Sequence, residues 1–155
     1  ADHFGLQKGD KILDVGCGKG FLLYEFLQVV PGLDVTGFDV SRYAKENAKG
    51  EVREKIIIGN ASELPFDDGH FDAVVSLGTL HNLELPNLFQ AVREIERVGK
   101  SDKSYIMVES WRDEVEKANL LYWQLTCEAF LSRTAWEWLY KKCGYTGDWD
   151  FIFFE

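Results

Sequence analysis

Cysteine is scarce in this chain: three in 155 residues, Cys17, Cys127 and Cys143, with no CxxC spacing. Three scattered thiols argue against a disulfide framework or a zinc site, and make a reducing cytoplasm the expected compartment. Basic charge is scarce too. Lys and Arg number 17 against 26 Asp and Glu, for a net charge of −9 at pH 7, and no stretch gathers the cations into a stripe. Nucleic acid and anionic membrane are therefore not expected as partners, since both call for Lys and Arg against phosphates. Long apolar runs are missing: the longest, at 21–30, is interrupted by Glu25 and Gln28 and falls well short of the roughly 20 residues of a spanning helix. No basic segment followed by an apolar stretch opens the chain, so no secretory signal is expected.

What the chain does have is core material. Hydrophobic residues make up 46% and aromatics 14%, which excludes an intrinsically disordered chain, and the length suits one domain over 1–155. KILDV at 11–15 is a short branched apolar run, and it leads directly into Gly16, Cys17, Gly18, Lys19 and Gly20. Leu22, Leu23, Phe26, Leu27 and Val30 then recur at helical spacing until Pro31 and Gly32 stop them. A second strand at 34–38 ends at Asp39. Ser41 is placed to cap a polar helix running through Ala48 to Gly50.

Further strands are expected at 56–58, 71–77, 105–109 and 150–155. Between them Pro86 opens a helix carrying Leu88, Val92 and Ile95 and closed by Gly99. Val115, Ala118, Tyr122, Leu125 and Ala129 describe a longer amphipathic helix, and Ala135, Trp138 and Leu139 a shorter one ending at Gly144. Strands alternating with helices, without internal repeats, predict an α/β domain: a mostly parallel, doubly wound sheet with helices on both faces.

In such a sheet ligands bind beyond the carboxyl ends of the strands, where the strand order reverses. Glycines after the first strand let backbone approach a ligand, and the following helix offers free N–H groups to an anion. The spacing GCGKG is GxGxG, with Phe21 where a dinucleotide fingerprint wants a small residue, so nicotinamide binding is the weaker alternative. Asp39, at the end of the second strand and about 20 residues past the loop, can accept hydrogen bonds from two ribose hydroxyls.

Taken in order, LDVGCGKG at 13–20, GFDVS at 37–41, GNASELPF at 59–66 and FDAVVSLGTLHNL at 71–83 resemble the motif series of class I S-adenosylmethionine-dependent methyltransferases, in particular the small type 11 group. The resemblance runs from about Gly9 to Leu83, and implies a Rossmann-like fold and S-adenosylmethionine as cofactor. It implies that Asp14, Gly16 and Gly18 line the methionine moiety, that Asp39 holds the ribose, and that Val40 packs on adenine. Asn60 and Ala61 would meet the adenine edge, with Leu77 beside the cofactor. Asn60 departs from the family, which usually has Asp there; its amide oxygen can still accept from the adenine amine, without charge assistance. The ten residues before the first strand leave the family's N-terminal lid short or missing. The family's two closing strands are represented by one segment, 145–155, as a cramped hairpin or a single strand.

Methyl transfer from a sulfonium asks the protein chiefly to align two reactants and exclude water. If the acceptor carries a proton, His81 after the fourth strand is the candidate base and Glu109, ending the fifth strand, the second acceptor-side candidate. The aromatics Tyr122, Trp123, Trp136 and Trp138 are expected in the core, with Trp123 the one to face the site. Cys17 is expected to fill space beneath the loop rather than to act as a nucleophile. His3 and His70 have no assigned role. The reading is methyl transfer to O or N of a small soluble acceptor. Its alternative from another class is a cofactor-binding module that is non-catalytic or depends on a partner chain.

Overall fold

A computed structural model of the protein describes residues 1–100 and 102–155. Six strands, β1 (Lys11–Val15), β2 (Asp34–Asp39), β3 (Ile56–Ile58), β4 (Ala73–Leu77), β5 (Ser104–Glu109) and β6 (Asp148–Ile152), lie in the order β3-β2-β1-β4-β5-β6. Every neighbouring pair is parallel. β1 and β4 are neighbours at the centre, and the chain winds outward from them in both directions, which is the Rossmann-like doubly wound arrangement.

Parallel strands covered on both faces must be apolar on both, and β1 meets that condition with Ile12 facing one core and Leu13 and Val15 the other. On the first side Leu23 of α1 (Phe21–Val29) and Val52 of α3 (Gly50–Arg53) pack with Val35, Ile56, Ala73 and Val75. On the other, Leu88, Val92 and Ile95 of α4 (Leu85–Val98) and Trp136, Leu139 and Tyr140 of α6 (Arg133–Cys143) pack with Val74, Ile106 and Val108. Pro86 lies in the first turn of α4, and Gly144 ends α6 in the left-handed conformation.

Several elements differ from expectation. The polar helix after β2 is capped by Ser41, whose hydroxyl accepts from Ala44 N, but α2 (Arg42–Glu46) stops early and α3 begins at Gly50, which seats Val52 in the core. α5 (Glu114–Trp123) ends before Leu125. Beyond it the N–H groups of Glu128 and Ala129 both donate to the His81 carbonyl, so the chain leaves the helical path to bury Ala129. Its expected apolar stripe faces water, with Tyr122 90% and Leu125 96% exposed. Of the four aromatics expected in the core, only Trp136 is there; Tyr122, Trp123 and Trp138 are exposed. The C-terminal segment is a single strand parallel to β5, not a hairpin. No helix among the described residues is long and apolar enough to cross a membrane.

The loop between β3 and β4 is pinned to α4 by one side chain. Arg97 donates to both Glu94 oxygens, to Asp68 and to the carbonyls of Leu64 and Phe66, while Glu94 also accepts from Leu64 N. The hydrogen bonds from Arg97, foremost, and from Leu64 N hold the Glu94 carboxyl below its ordinary pKa. A depressed acid stabilises the fold above its unfolded pKa and loses that contribution as the pH falls through the folded value. Arg97→Ala should therefore cost about 2 kcal/mol at neutral pH, and the gap from wild type should narrow below about pH 4.5. Urea unfolding followed by circular dichroism at several pH values checks this.

Candidate functional site

At the carboxyl ends of β1, β2 and β3 a cleft of about 130 Å³ is lined by Gly16, Phe38, Asp39, Val40, Gly59, Asn60, Ala61, Thr79 and Leu83. It lies beside the point where β1 and β4 part, the place the topology reserves for ligands.

The glycine loop owes its shape to two different constraints. Gly16 has φ +81°, and a Cβ there would stand 2.1 Å from the Thr79 hydroxyl oxygen, which itself donates to the Gly16 carbonyl. Gly18 has φ +51° with nothing within 4 Å of the missing Cβ, so conformation alone demands glycine and the space above it stays open. Its N–H donates to Asp39 Oδ2 at 2.8 Å, and Ser41 N donates to Oδ1 at 2.8 Å. Asp39 thus clamps the loop after β1 to the loop after β2, and each of its oxygens keeps capacity for a further donor. Cys17 is buried against Gly37, whose Cβ would fall 2.6 Å from its sulfur. It fills space beneath the turn, and burial, with the Asp14 and Asp39 charges, pushes its thiol far above the ordinary range.

Around this loop the other candidates fall into place unevenly. Asp14 is buried in β1, where desolvation first and the Asp39 charge second push its carboxyl up to about 7. Val40 stands at the cleft with 75% of its surface uncovered. Asn60 lines the same wall, and its side-chain oxygen already accepts from Ser62 N at 3.0 Å. Ala61 joins it. Leu77 lies elsewhere: with Leu22, Phe26, Val75, Tyr105 and Phe4 it lines a separate, largely apolar pocket of about 290 Å³.

His81 and Glu109 come together. His81 sits in a 3₁₀ turn (Leu80–Asn82) after β4, almost wholly buried, with Nε2 3.7 Å from Glu109 Oε2 and 3.4 Å from the Gln124 amide nitrogen. His81 Nδ1 and Glu109 Oε2 are buried without a hydrogen-bond partner among the described residues. Burial lowers the imidazole pKa and raises the carboxyl pKa, the latter drawn back by the indole N–H of Trp123. Trp123 therefore faces Glu109, although the residue is largely exposed, with its ring against Phe154. Neither His81 nor Glu109 lines the cleft. Thr79, Leu83, Gly59 and Gln124 escaped the sequence reading. Gly59 alone carried a signal there, as the glycine before Asn60; a Cβ on it would meet the Phe38 ring at 2.3 Å.

A family model described as a methyltransferase domain matches residues 13–120. An uncharacterized protein of Methanocaldococcus jannaschii is 34% identical over 102 residues, 65% of this chain and 37% of its own length. Demethylmenaquinone methyltransferase of Staphylococcus aureus is 31% identical over 151 residues, 89% of this chain and 62% of its own. The chain thus spans less than two thirds of these curated relatives. Among solved structures, an S-adenosylmethionine-dependent methyltransferase from Methanosarcina mazei has a TM-score of 0.73 at 23% identity, over 92% of this chain and 82% of its own. Geranyl diphosphate C-methyltransferase from Streptomyces coelicolor, solved with Mg2+, geranyl diphosphate and S-adenosyl-L-homocysteine, has a TM-score of 0.74 at 20% identity, over 91% and 56%. These two likenesses speak for the fold.

The two glycines should separate by mutation. Gly16→Ala meets both an adverse φ and the Thr79 side chain and should cost about 3 kcal/mol, whereas Gly18→Ala carries the backbone term alone, about 1–2 kcal/mol; urea midpoints rank them. Asp14 supplies a pH signature. Its raised pKa means that the folded state binds the extra proton between about pH 4 and 7, so stability falls as the pH rises through that window. Asp14→Asn should remove this slope, gaining on wild type by on the order of 3 kcal/mol from pH 4 to 8, as read by denaturant unfolding across the range.

Proposed function

Because the chain belongs to the methyltransferase-domain family that its residues 13–120 match, we propose that residues 1–155 act as one such domain, binding S-adenosylmethionine in the Asp39 cleft and transferring its methyl group to an oxygen or nitrogen of a small acceptor. The observation that carries this reading is the Asp39 carboxylate, fixed by Gly18 N and Ser41 N at 2.8 Å each beneath an open glycine loop. That is a cradle suited to a ribose diol with a cationic tail passing over backbone.

The donor set fits the cofactor. Asp39 accepts from the ribose hydroxyls with the oxygen capacity left by its two backbone donors. Val40 offers an apolar wall to the adenine, and Asn60, with one lone pair of its amide oxygen engaged by Ser62 N, retains a second for the adenine amine. The buried acid Asp14 lies under the loop where a positive charge would pass, and a cation there would favour its ionised form. Bound S-adenosylmethionine supplies an already activated methyl group, so no covalent nucleophile of the chain is needed. Burial keeps His81 neutral near pH 7 and thus able to take a proton from a hydroxyl or ammonium acceptor. In this role Nε2, which accepts from the Gln124 amide nitrogen at 3.4 Å, carries the lone pair, and once protonated it faces Glu109 Oε2 at 3.7 Å. The Glu109 carboxylate then stabilises the imidazolium that forms. The acidity of the chain favours neutral or amine acceptors over phosphate-rich ones.

Two substitutions divide the roles. Asp39→Ala should weaken S-adenosylmethionine binding by about 1–3 kcal/mol in calorimetry. His81→Gln should leave that affinity within about twofold while lowering transfer of a radiolabelled methyl group to a hydroxyl acceptor by about 10²-fold or more. Binding untouched by Asp39→Ala, or transfer untouched by His81→Gln, would remove that residue from its role. No transfer from the wild type to any member of an oxygen, nitrogen and carbon acceptor panel would count against the reaction itself.

A further inference from the structure

The His81–Glu109 pair is closed off by a segment that has almost no packing of its own. Between the buried anchors Leu120 and Ala129, residues 121–128 contain no buried residue, and Leu121, Tyr122, Trp123 and Leu125 turn large apolar surface to water. Yet this segment leaves His81 only 2% exposed. Apart from the Trp123 ring against Phe154 and its indole N–H toward Glu109, what holds it down is polar and gathered on the turn at His81. Thr126 Oγ1 donates to Asn82 Oδ1 at 2.7 Å, the Gln124 amide lies 3.4 Å from His81 Nε2, and Glu128 N and Ala129 N donate to the His81 carbonyl. Few apolar contacts and a handful of hydrogen bonds, with the Thr126–Asn82 bond exposed, are the physical marks of a segment that opens locally well before the domain unfolds.

A proton acceptor sealed from its substrate cannot act, so on the reading of His81 as base this cover has to move. We infer that residues 121–128 form a hinged roof that swings off the His81–Glu109 pair to admit the acceptor, with the Thr126–Asn82 hydrogen bond as its latch. The hinges are the two ends at which the chain enters the core, Leu120 in α5 and Ala129. Cys127, on the covering segment, is near enough to Glu109 for the carboxylate to add to the rise that burial gives its thiol, which is pushed up to about 11. The roof thus carries no ionised group over the pair at neutral pH from that position. Closure returns the pair to the water-poor setting in which a proton held on His81 is best stabilised by Glu109.

The test labels the imidazole and needs neither cofactor nor acceptor. Diethyl pyrocarbonate carbethoxylates neutral imidazole, and peptide mass spectrometry separates His81 from His3 and His70, which serve as internal references. Wild type should label His81 slowly but measurably. Thr126→Val, which cuts the latch, should raise the His81 rate about fivefold, the equivalent of one hydrogen bond, with His3 and His70 unchanged. Asn82→Cys with Thr126→Cys, in a Cys127→Ser background, joins two side chains that already meet. Oxidation should then slow His81 labelling about tenfold or more, and reductant should restore it. The roof is overturned if His81 is never labelled while His3 is consumed, if Thr126→Val leaves its rate unchanged, or if the oxidised and reduced double-cysteine protein label alike. Failure of the function reading looks different: the labelling pattern would hold while S-adenosylmethionine failed to bind or His81→Gln failed to slow transfer.

Discussion

Two backbone N–H groups from two different loops, Gly18 and Ser41, converge on the carboxylate of Asp39. A carboxylate at the end of a parallel strand would ordinarily satisfy its lone pairs with water, and the loops on either side would choose their own conformations. Here the charge-assisted bonds fix both loops relative to β2, and the rest of the site follows from that. Gly18 must take a left-handed φ to present its N–H, Gly16 must bring the loop against Thr79, and Ser41 is left with its hydroxyl free to cap α2. The cleft is what remains between the loops once Asp39 has drawn them together.

The electrostatics divide the site into two kinds of acid. Asp39 is held by donors and ready to accept more. Burial raises the Asp14 and Glu109 carboxyls, so a positive charge beside either favours its ionised form. On the proposed function, that charge for Asp14 is a cationic ligand passing over the glycine loop. For Glu109 it is the imidazolium that His81 becomes on taking a proton.

Much of this was legible in the sequence because it is written in local patterns. A branched apolar run followed by glycines gives β1 and its loop. The short spacing to Phe21 distinguishes the loop from a dinucleotide fingerprint, and an acid at the end of the next strand locates Asp39. The cores on both faces of the sheet follow from apolar periodicity. What could not be read depends on contacts between distant segments. Nothing near Gly16 announces that Thr79 will press against it, and nothing in the spacing of Tyr122, Leu125 and Ala129 reveals that the helix stops short. Beyond that stop a distant carbonyl, that of His81, captures Glu128 N and Ala129 N. Gln124, just past the helix end, lies 3.4 Å from the imidazole. The family resemblance implies Leu77 beside the cofactor, and in the structure it lines the neighbouring apolar pocket.

The most direct test of the central claim is a calorimetric titration of the protein, in parallel, with S-adenosylmethionine, S-adenosylhomocysteine and NADH. Saturable one-to-one binding of the first two, with none of the third, is the result that the Asp39 clamp and the GxGxG loop predict. Binding of NADH, or indifference to both sulfur ligands, would contradict the account.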